Sequence, residues 1–273
     1  MRVPSSLKRP GSDVEPKPVS PTSSQGRIAG KTGYGIDEPD SIIELAIAGV
    51  LAAAIGFVMS AYTVGLNPQL ARISLLAGPA VGFLILAVAS ALYWSSHQGK
   101  VSEMSKLVSD IPWGGNEVVL DVGCGRGLGM VLAGRHLDGG CALGIDVWKG
   151  SHLSGNNPSS IWANAASEGV TERVAPLKGD PGTIPLADAS VDVVLSALSL
   201  HKLVRKKDRV VAFVEIARVL KDGGRIGILD SGNGPEYSKV LRQVGMSDIS
   251  VRRLRFSSFP PFHVVLARKP FRG

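Results

Sequence analysis

The hydrophobic pattern divides the chain into three unlike stretches. Residues 1 to about 40 are rich in Pro, Ser, Gly and charge (SSLKRPGSDVEPKPVSPTSSQGR) and show no apolar periodicity. Such a composition cannot bury enough surface to offset the entropy of ordering, so a disordered tail is predicted. Two long apolar runs follow, Ile42 to about Thr63 and Ile73 to about Trp94. Each is close to the roughly 20 residues a helix needs to cross a hydrocarbon layer. The second run holds no charge, and the first holds only Glu44, near its start, within reach of an interface. Tyr62, Tyr93 and Trp94 stand at run ends, where aromatic belts form. The connection GLNPQLAR is short, and Asn67-Pro68 suits a tight turn. The pattern therefore predicts a two-helix transmembrane hairpin over residues 41–95, with Gly49, Ala52, Ala53 and Gly56 small enough for close backbone approach. A pair of helices buried in a soluble domain, and a re-entrant or in-plane hairpin, are the alternatives.

From residue 96 to 273 the period changes. Short β-branched runs (VVLDVG, CALGIDV, VAPLKGD, VDVVLSA, RIGILD, ISVRRLRF, FHVVLAR) alternate with helical stretches. Strands alternating with helices predict a parallel sheet covered on both faces. The last two runs leave no room for a helix between them and read as an antiparallel hairpin joined through SSFPP. The expected fold is α/β, a Rossmann-like, mostly parallel seven-stranded sheet with an antiparallel C-terminal strand.

Composition sharpens this division. Of 273 residues, 44% are hydrophobic and only 5% aromatic, and 19% are charged. A mean hydropathy of +0.18 at that charge content requires apolar residues concentrated in one place. The net charge of +7 fits a nucleic acid, an anionic membrane surface or an acidic substrate. Nucleic acid is disfavoured, because no aromatic residues interleave the basic runs at 201–209 and near the C-terminus (Arg252, Arg253, Arg255, Arg268, Lys269, Arg272). Those runs read as solvated faces or as contacts to anionic lipid headgroups. Cys124 and Cys141 make neither a disulfide framework nor a metal cluster, so no metal is expected and a reducing compartment fits. No apolar core near Met1 marks a signal peptide. Arg27, Lys31, Lys100 and Lys106 flank the hairpin and only Arg72 lies in its turn, which predicts a two-pass topology with the N-terminus and the sheet domain in the cytoplasm.

The strongest local signal is Val118 to Met130, VVLDVGCGRGLGM. A strand ends in Asp121, glycines follow at 123, 125 and 127, and a helix begins. Glycine permits positive φ and close approach of the backbone to a ligand, and a helix start offers amide donors. Counting from either Gly123 or Gly125, the sixth position is not glycine, which disfavours a dinucleotide-binding loop.

The alternate-glycine loop with its preceding acid resembles motif I of the class I S-adenosylmethionine-dependent methyltransferases, and the resemblance extends over about Trp113 to Arg268. It is closest in pattern to small enzymes of the methyltransferase type 11 sort, related to quinone-biosynthetic enzymes, from which DVWKGSHLSGNN (146–157) departs. The resemblance implies that Asp146, ending the second strand, accepts the ribose hydroxyls. Val147 and Trp148 would pack on adenine, and Asp180, after Gly179, would meet the adenine amino group. The end of VDVVLSAL, with Ser196, would face the methyl group, and VEIARVLKDGGRIGI would be the family's helix, Gly-Gly turn and fifth strand. Cofactor-binding residues are thus expected at Asp121, Gly123, Gly125, Gly127, Asp146, Val147, Gly179, Asp180 and Ser196, with S-adenosylmethionine as cofactor. His201, just past the fourth strand, is the candidate catalytic base; its other reading is a capping or packing histidine. Ser199, His152 and Asn156 are further polar candidates, and Cys124 reads as a packing residue. The partners expected are a membrane and a small-molecule or lipid acceptor. A non-catalytic S-adenosylmethionine-binding membrane protein is the rival expectation.

Overall fold

The structure, a computed structural model, describes residues 33–149, 153–254 and 258–271. The tail through residue 32, with Arg27 and Lys31, and also His152, Arg255 and Arg272, lie outside the described residues.

Two long helices, α1 (Pro39–Thr63) and α2 (Pro68–Trp94), form the hairpin. Asn67 caps α2: its Oδ1 accepts from the amides of Gln69 and Leu70, both at 3.1 Å. Pro68 then occupies the first helical turn, where its missing N–H is no loss. This cap, not hydropathy, sets the boundary, so α2 begins ahead of the apolar run predicted from Ile73. The helices meet through glycine. A Cβ on Gly56 would fall 2.6 Å from the Gly78 Cα, and one on Gly49 would fall 3.0 Å from the Gly82 carbonyl oxygen. Many of the large apolar side chains face outward: Ile55, Val58, Phe83 and Leu84 are 60–75% exposed. Only 11% of each apolar window is buried among the described residues, so the sheet domain does not cover the two helices. Both helices are long and apolar enough to cross a membrane.

α2 does not end in a loop. It passes through a π-helical turn (Ser95–Gly99) directly into α3 (Lys100–Ser109). The boundary expected at 95/96 therefore lies within one helical path. The turn is fastened to the sheet domain, because Ser95 Oγ accepts from the Phe259 amide at 3.1 Å.

The sheet holds seven strands: β1 (Val118–Val122), β2 (Cys141–Asp146), β3 (Val174–Lys178), β4 (Val191–Ala197), β5 (Leu220–Ser231), β6 (Ser247–Arg253) and β7 (Phe262–Arg268). Their order is β3-β2-β1-β4-β5-β7-β6. The first five pair in parallel, and β7 runs antiparallel to both β5 and β6. The fold expected from the sequence is the fold found.

Strand periodicity of two sends alternate residues to opposite faces. Leu120 and Val122 join one buried cluster with Phe213, Ile216 and Val219 of α6 (Lys206–Val219) and Tyr237 and Leu241 of α7 (Gly234–Gln243). Val119 joins the other, with Met104 and Leu107 of α3, Met130 and Val131 of α4 (Leu128–Gly134), and Ile161 and Trp162 of α5 (Pro158–Ser167). The hairpin's continuation, α3, is thus part of the sheet's own covering layer. The outer strand β6 is mostly exposed and carries Arg252 and Arg253, charges that discourage edge-to-edge pairing.

Candidate functional site

Strand order reverses at β1, with β2 on one side and β4 on the other, so the crossovers leave in opposite directions and a crevice opens at the C-terminal edge. A cleft of the described residues lies there. From the sheet it is lined by Asp121, Gly123, Cys124, Gly125, Asp146, Val147 and Asp180.

Asp121, next to last in β1, is buried. Its Oδ2 accepts from the Met130 amide at 3.0 Å, so the start of α4 is capped by the protein's own carboxylate and not left for an anionic ligand. Its Oδ1 is buried without a hydrogen-bond partner among the described residues. Burial, with a smaller contribution from the Asp146 charge, pushes the carboxyl up to about 7. Asp146, at the end of β2, receives the Gly125 amide on Oδ2 (2.9 Å) and the Trp148 amide on Oδ1 (2.6 Å). A carboxylate has about four acceptor positions, so both oxygens keep capacity for a ligand. Asp180 receives the Gly182 amide on Oδ1 at 2.7 Å.

The loop between β1 and α4 needs its glycines for two different reasons. Gly123, at φ 71°, packs so closely on Ser199 that a Cβ would collide with the hydroxyl. Gly127, at φ 85°, is the N-cap of α4 and lies against Ile161, away from the cleft.

Several expected residues stand elsewhere. Gly127 is a capping residue and not a cleft residue. Gly179 is likewise outside the lining; its amide bonds to the Asp146 carbonyl and places Asp180. Ser196 is fully buried within β4, donating to the Val122 carbonyl at 2.9 Å, because its side chain falls on the inner face of the pleat. Trp148 lies outside the lining too, its Nε1 donating to the Gly125 carbonyl at 3.1 Å. His201 is outside the cleft lining, in the short 3-10 turn after β4. Its Nδ1 and its amide both bond to Asp230 at the end of β5, and Tyr237 donates to the same carboxylate at 2.9 Å. Asn156, Ser199 and Cys124 do line the cleft, and burial pushes the Cys124 thiol up, as a packing residue requires.

Other lining residues were not legible. Tyr34, Asp37, Lys100, Arg126 and Lys202 form the charged and polar part of the facing wall. Tyr34 and Asp37 belong to the stretch expected to be tail. Instead Gly33–Glu38 is docked across the cleft: the Ile36 amide donates to Ser154 Oγ (2.8 Å), and the Ser154 amide donates to the Ile36 carbonyl (3.0 Å). Lys100, which follows the hairpin, is buried and bonds to Asp37 at 2.7 Å. These partners are far apart in sequence, so no local signal announced them.

Residues 120–228 match the methyltransferase domain family. That match runs from β1 to β5 of the sheet domain. The seven-stranded sheet is the one the family resemblance implied. Curated relatives include a protein of Encephalitozoon cuniculi named as a methyltransferase, 30% identical over 132 residues (48% of this chain, 53% of the relative). Methyltransferase GfsG of Streptomyces halstedii is 34% identical over 112 residues (41% and 37%). The chain spans about half the length, or less, of these relatives. Among solved structures, the [4+2]-cyclase SpnF superposes with a TM-score of 0.53 at 18% identity, covering 65% of this chain and 84% of that one. The Burkholderia thailandensis 1,6-didemethyltoxoflavin-N1-methyltransferase gives 0.51 at 21% identity, covering 65% and 80%. At such identities the superpositions speak for the fold.

Proposed function

We propose that the chain is a membrane-anchored methyltransferase that takes its methyl group from S-adenosylmethionine and gives it to a small, lipophilic acceptor. The observation that carries this reading is the set of three carboxylates at successive strand ends around one crevice, one of them with a buried oxygen that has no partner among the described residues. That orphaned Asp121 Oδ1 fits a cationic ligand group such as the ammonium of the cofactor's amino-acid end. Asp146 has acceptor positions for the ribose hydroxyls, Asp180 suits the adenine amino group, and the Gly123–Gly125 backbone admits a ligand where side chains would obstruct it.

When bound, S-adenosylmethionine supplies a methyl group already activated by its sulfonium. The chain's own contribution is to orient the partners and exclude water, effects worth about 7–11 kcal/mol in well-aligned reactions. A base is needed only for an acceptor that must lose a proton. His201 remains the candidate: Asp230 holds its Nδ1, which leaves Nε2 as the proton acceptor, at the β4–β5 end beyond the cleft. The lipophilic acceptor follows from the hairpin, which would hold the crevice near a bilayer. Tail and sheet domain share one side in a two-pass arrangement, and the flanking cations favour the cytoplasmic one.

A non-catalytic binder of the same cofactor is the second reading. It is favoured by the position of His201 outside the cleft and by a fold neighbour named as a cyclase. The experiment incubates membranes carrying the full chain with methyl-labelled S-adenosylmethionine. Release of S-adenosylhomocysteine with label in the organic phase is expected. Label confined to water-soluble products refutes the lipophilic acceptor, and cofactor binding without any release establishes the second reading. Extraction of the protein by alkaline carbonate would remove the membrane anchor from the account.

A further inference from the structure

The wall of the crevice that the family match does not explain already holds a carboxylate. Asp37 Oδ2 lies 2.7 Å from Lys100 Nζ and Oδ1 lies 3.4 Å from Lys202 Nζ. Ser96 Oγ donates to Oδ2 at 3.3 Å, and the Asp37 amide donates back to Ser96 Oγ at 2.5 Å. Asp37, Lys100 and Lys202 all line the cleft together with Asp121. We propose that Lys100 and Lys202 form the subsite for the α-carboxylate of the cofactor's amino-acid end, and that Asp37 occupies that subsite until the cofactor arrives. This rests on the reading of the crevice as an S-adenosylmethionine site.

The charges of the ligand sort themselves along the cleft. Asp146 and Asp180 mark the nucleoside end. The amino-acid end carries one cation and one anion. Asp121, with its unpartnered Oδ1, answers the cation. The glycine loop offers the anion Arg126, whose Nη1 donates to the Ser154 carbonyl at 3.1 Å and whose buried Nε has no partner among the described residues, so Arg126 can add to an anion subsite but is not held by Asp37. Of the three lysines on the cleft's lining, Lys100, Lys149 and Lys202, the first and last are the two paired with Asp37.

The exchange of one carboxylate for another is also the inexpensive route. Lys100 is 4% exposed, and an ammonium at that depth is costly unless paired. Burial lowers its pKa, and the Asp37 carboxylate offsets only part of that shift. If the ligand's carboxylate replaces Asp37, Lys100 keeps a partner throughout. The displaced Asp37 lies just ahead of α1, so cofactor loading would free the segment that leads into the hairpin.

The test uses the full chain in detergent micelles and calorimetry with two probes. S-adenosylhomocysteine carries the amino-acid end and 5′-methylthioadenosine lacks it. Lys202→Ala is expected to weaken S-adenosylhomocysteine about tenfold or more and to leave methylthioadenosine unchanged. Asp37→Asn, which removes the competing charge while keeping the shape, is expected to tighten S-adenosylhomocysteine several-fold and again to spare methylthioadenosine. Equal losses for both probes, an indifferent Lys202→Ala, or weaker S-adenosylhomocysteine binding in Asp37→Asn overturns the proposal. Should Asp37→Asn fail to fold by circular dichroism, Lys202→Ala decides alone. A wild-type chain that binds neither probe refutes the cofactor reading itself. One that binds both, with Lys202 indifferent, refutes the carboxylate subsite only.

Discussion

The hairpin and the sheet domain are built from similar apolar residues arranged in opposite senses. In the sheet domain the large side chains turn inward, and Leu120, Phe213 and Tyr237 are fully buried. In the hairpin the large side chains turn outward, and the contact between helices is made by Gly49, Gly56, Gly78 and Gly82. Burying apolar area drives the first arrangement. It cannot drive the second in a lipid-like surround, where close backbone packing holds the helices. Hydropathy alone does not distinguish these uses of leucine; the position of glycine does.

The sharpest way to break this comparison is a pair of truncations. Phe213→Ala should cost the sheet domain about 3–5 kcal/mol, read from its denaturant midpoint. Leu84→Ala, at a residue 64% exposed, should stay within about 0.5 kcal/mol of wild type. Comparable losses at both positions would mean that the hairpin's outer face is covered by protein.

Next in size comes the crevice. Asp146→Asn removes the charge that the Gly125 and Trp148 amides support, and S-adenosylhomocysteine affinity should fall by about 1.5–3 kcal/mol, roughly 10- to 100-fold. Thermal stability should change little by comparison.

Within the hairpin, Gly78→Val places a branched side chain against the Gly56 backbone. Helix contact should weaken by about 1–3 kcal/mol, visible as lost cross-linking between cysteines introduced into α1 and α2. Cofactor affinity should hold, since Gly78 does not line the cleft. A parallel loss of affinity would show that hairpin packing reaches the crevice through α3.

The smallest effect is a pH dependence at Asp121. Its carboxyl is raised from 3.8 to about 7, chiefly by burial. Between those values the folded chain keeps a proton that the unfolded chain has released, so this group's contribution to stability falls as pH rises through that window. A cationic ligand needs the ionised form. S-adenosylmethionine affinity should therefore rise about tenfold from pH 6 to pH 8. Asp121→Asn should abolish the slope while leaving the folded state no less stable at pH 8.

Most of the fold was legible because its signals are local. Each strand of the parallel sheet is buried on both faces and reads as a short apolar run, and the two outermost runs lie too close for a crossover helix. The acids at strand ends were legible for the same reason: Asp121 and Asp146 are adjacent in sequence to the glycine loop and to β2. The pleat was not. Ser196 and Ala197 are neighbours in sequence, yet Ser196 is buried while Ala197 lines the cleft. His201 was placed correctly at the end of β4, but the turn of the 3-10 segment gives its ring to Asp230 while Lys202 lines the crevice.

What the sequence by itself determined is the order of elements, the apolar hairpin and the edge of the sheet where a ligand sits, since each follows from periodicity or from spacing within a few residues. What only the tertiary structure decided is the far wall of the crevice. Asp37, Lys100 and Lys202 are separated by scores of residues and meet because α2 runs unbroken through its π turn into α3, which returns the chain to the sheet. Ion pairs between such distant positions leave no periodic trace. Their charges become a site only when burial removes the water that would otherwise keep them apart.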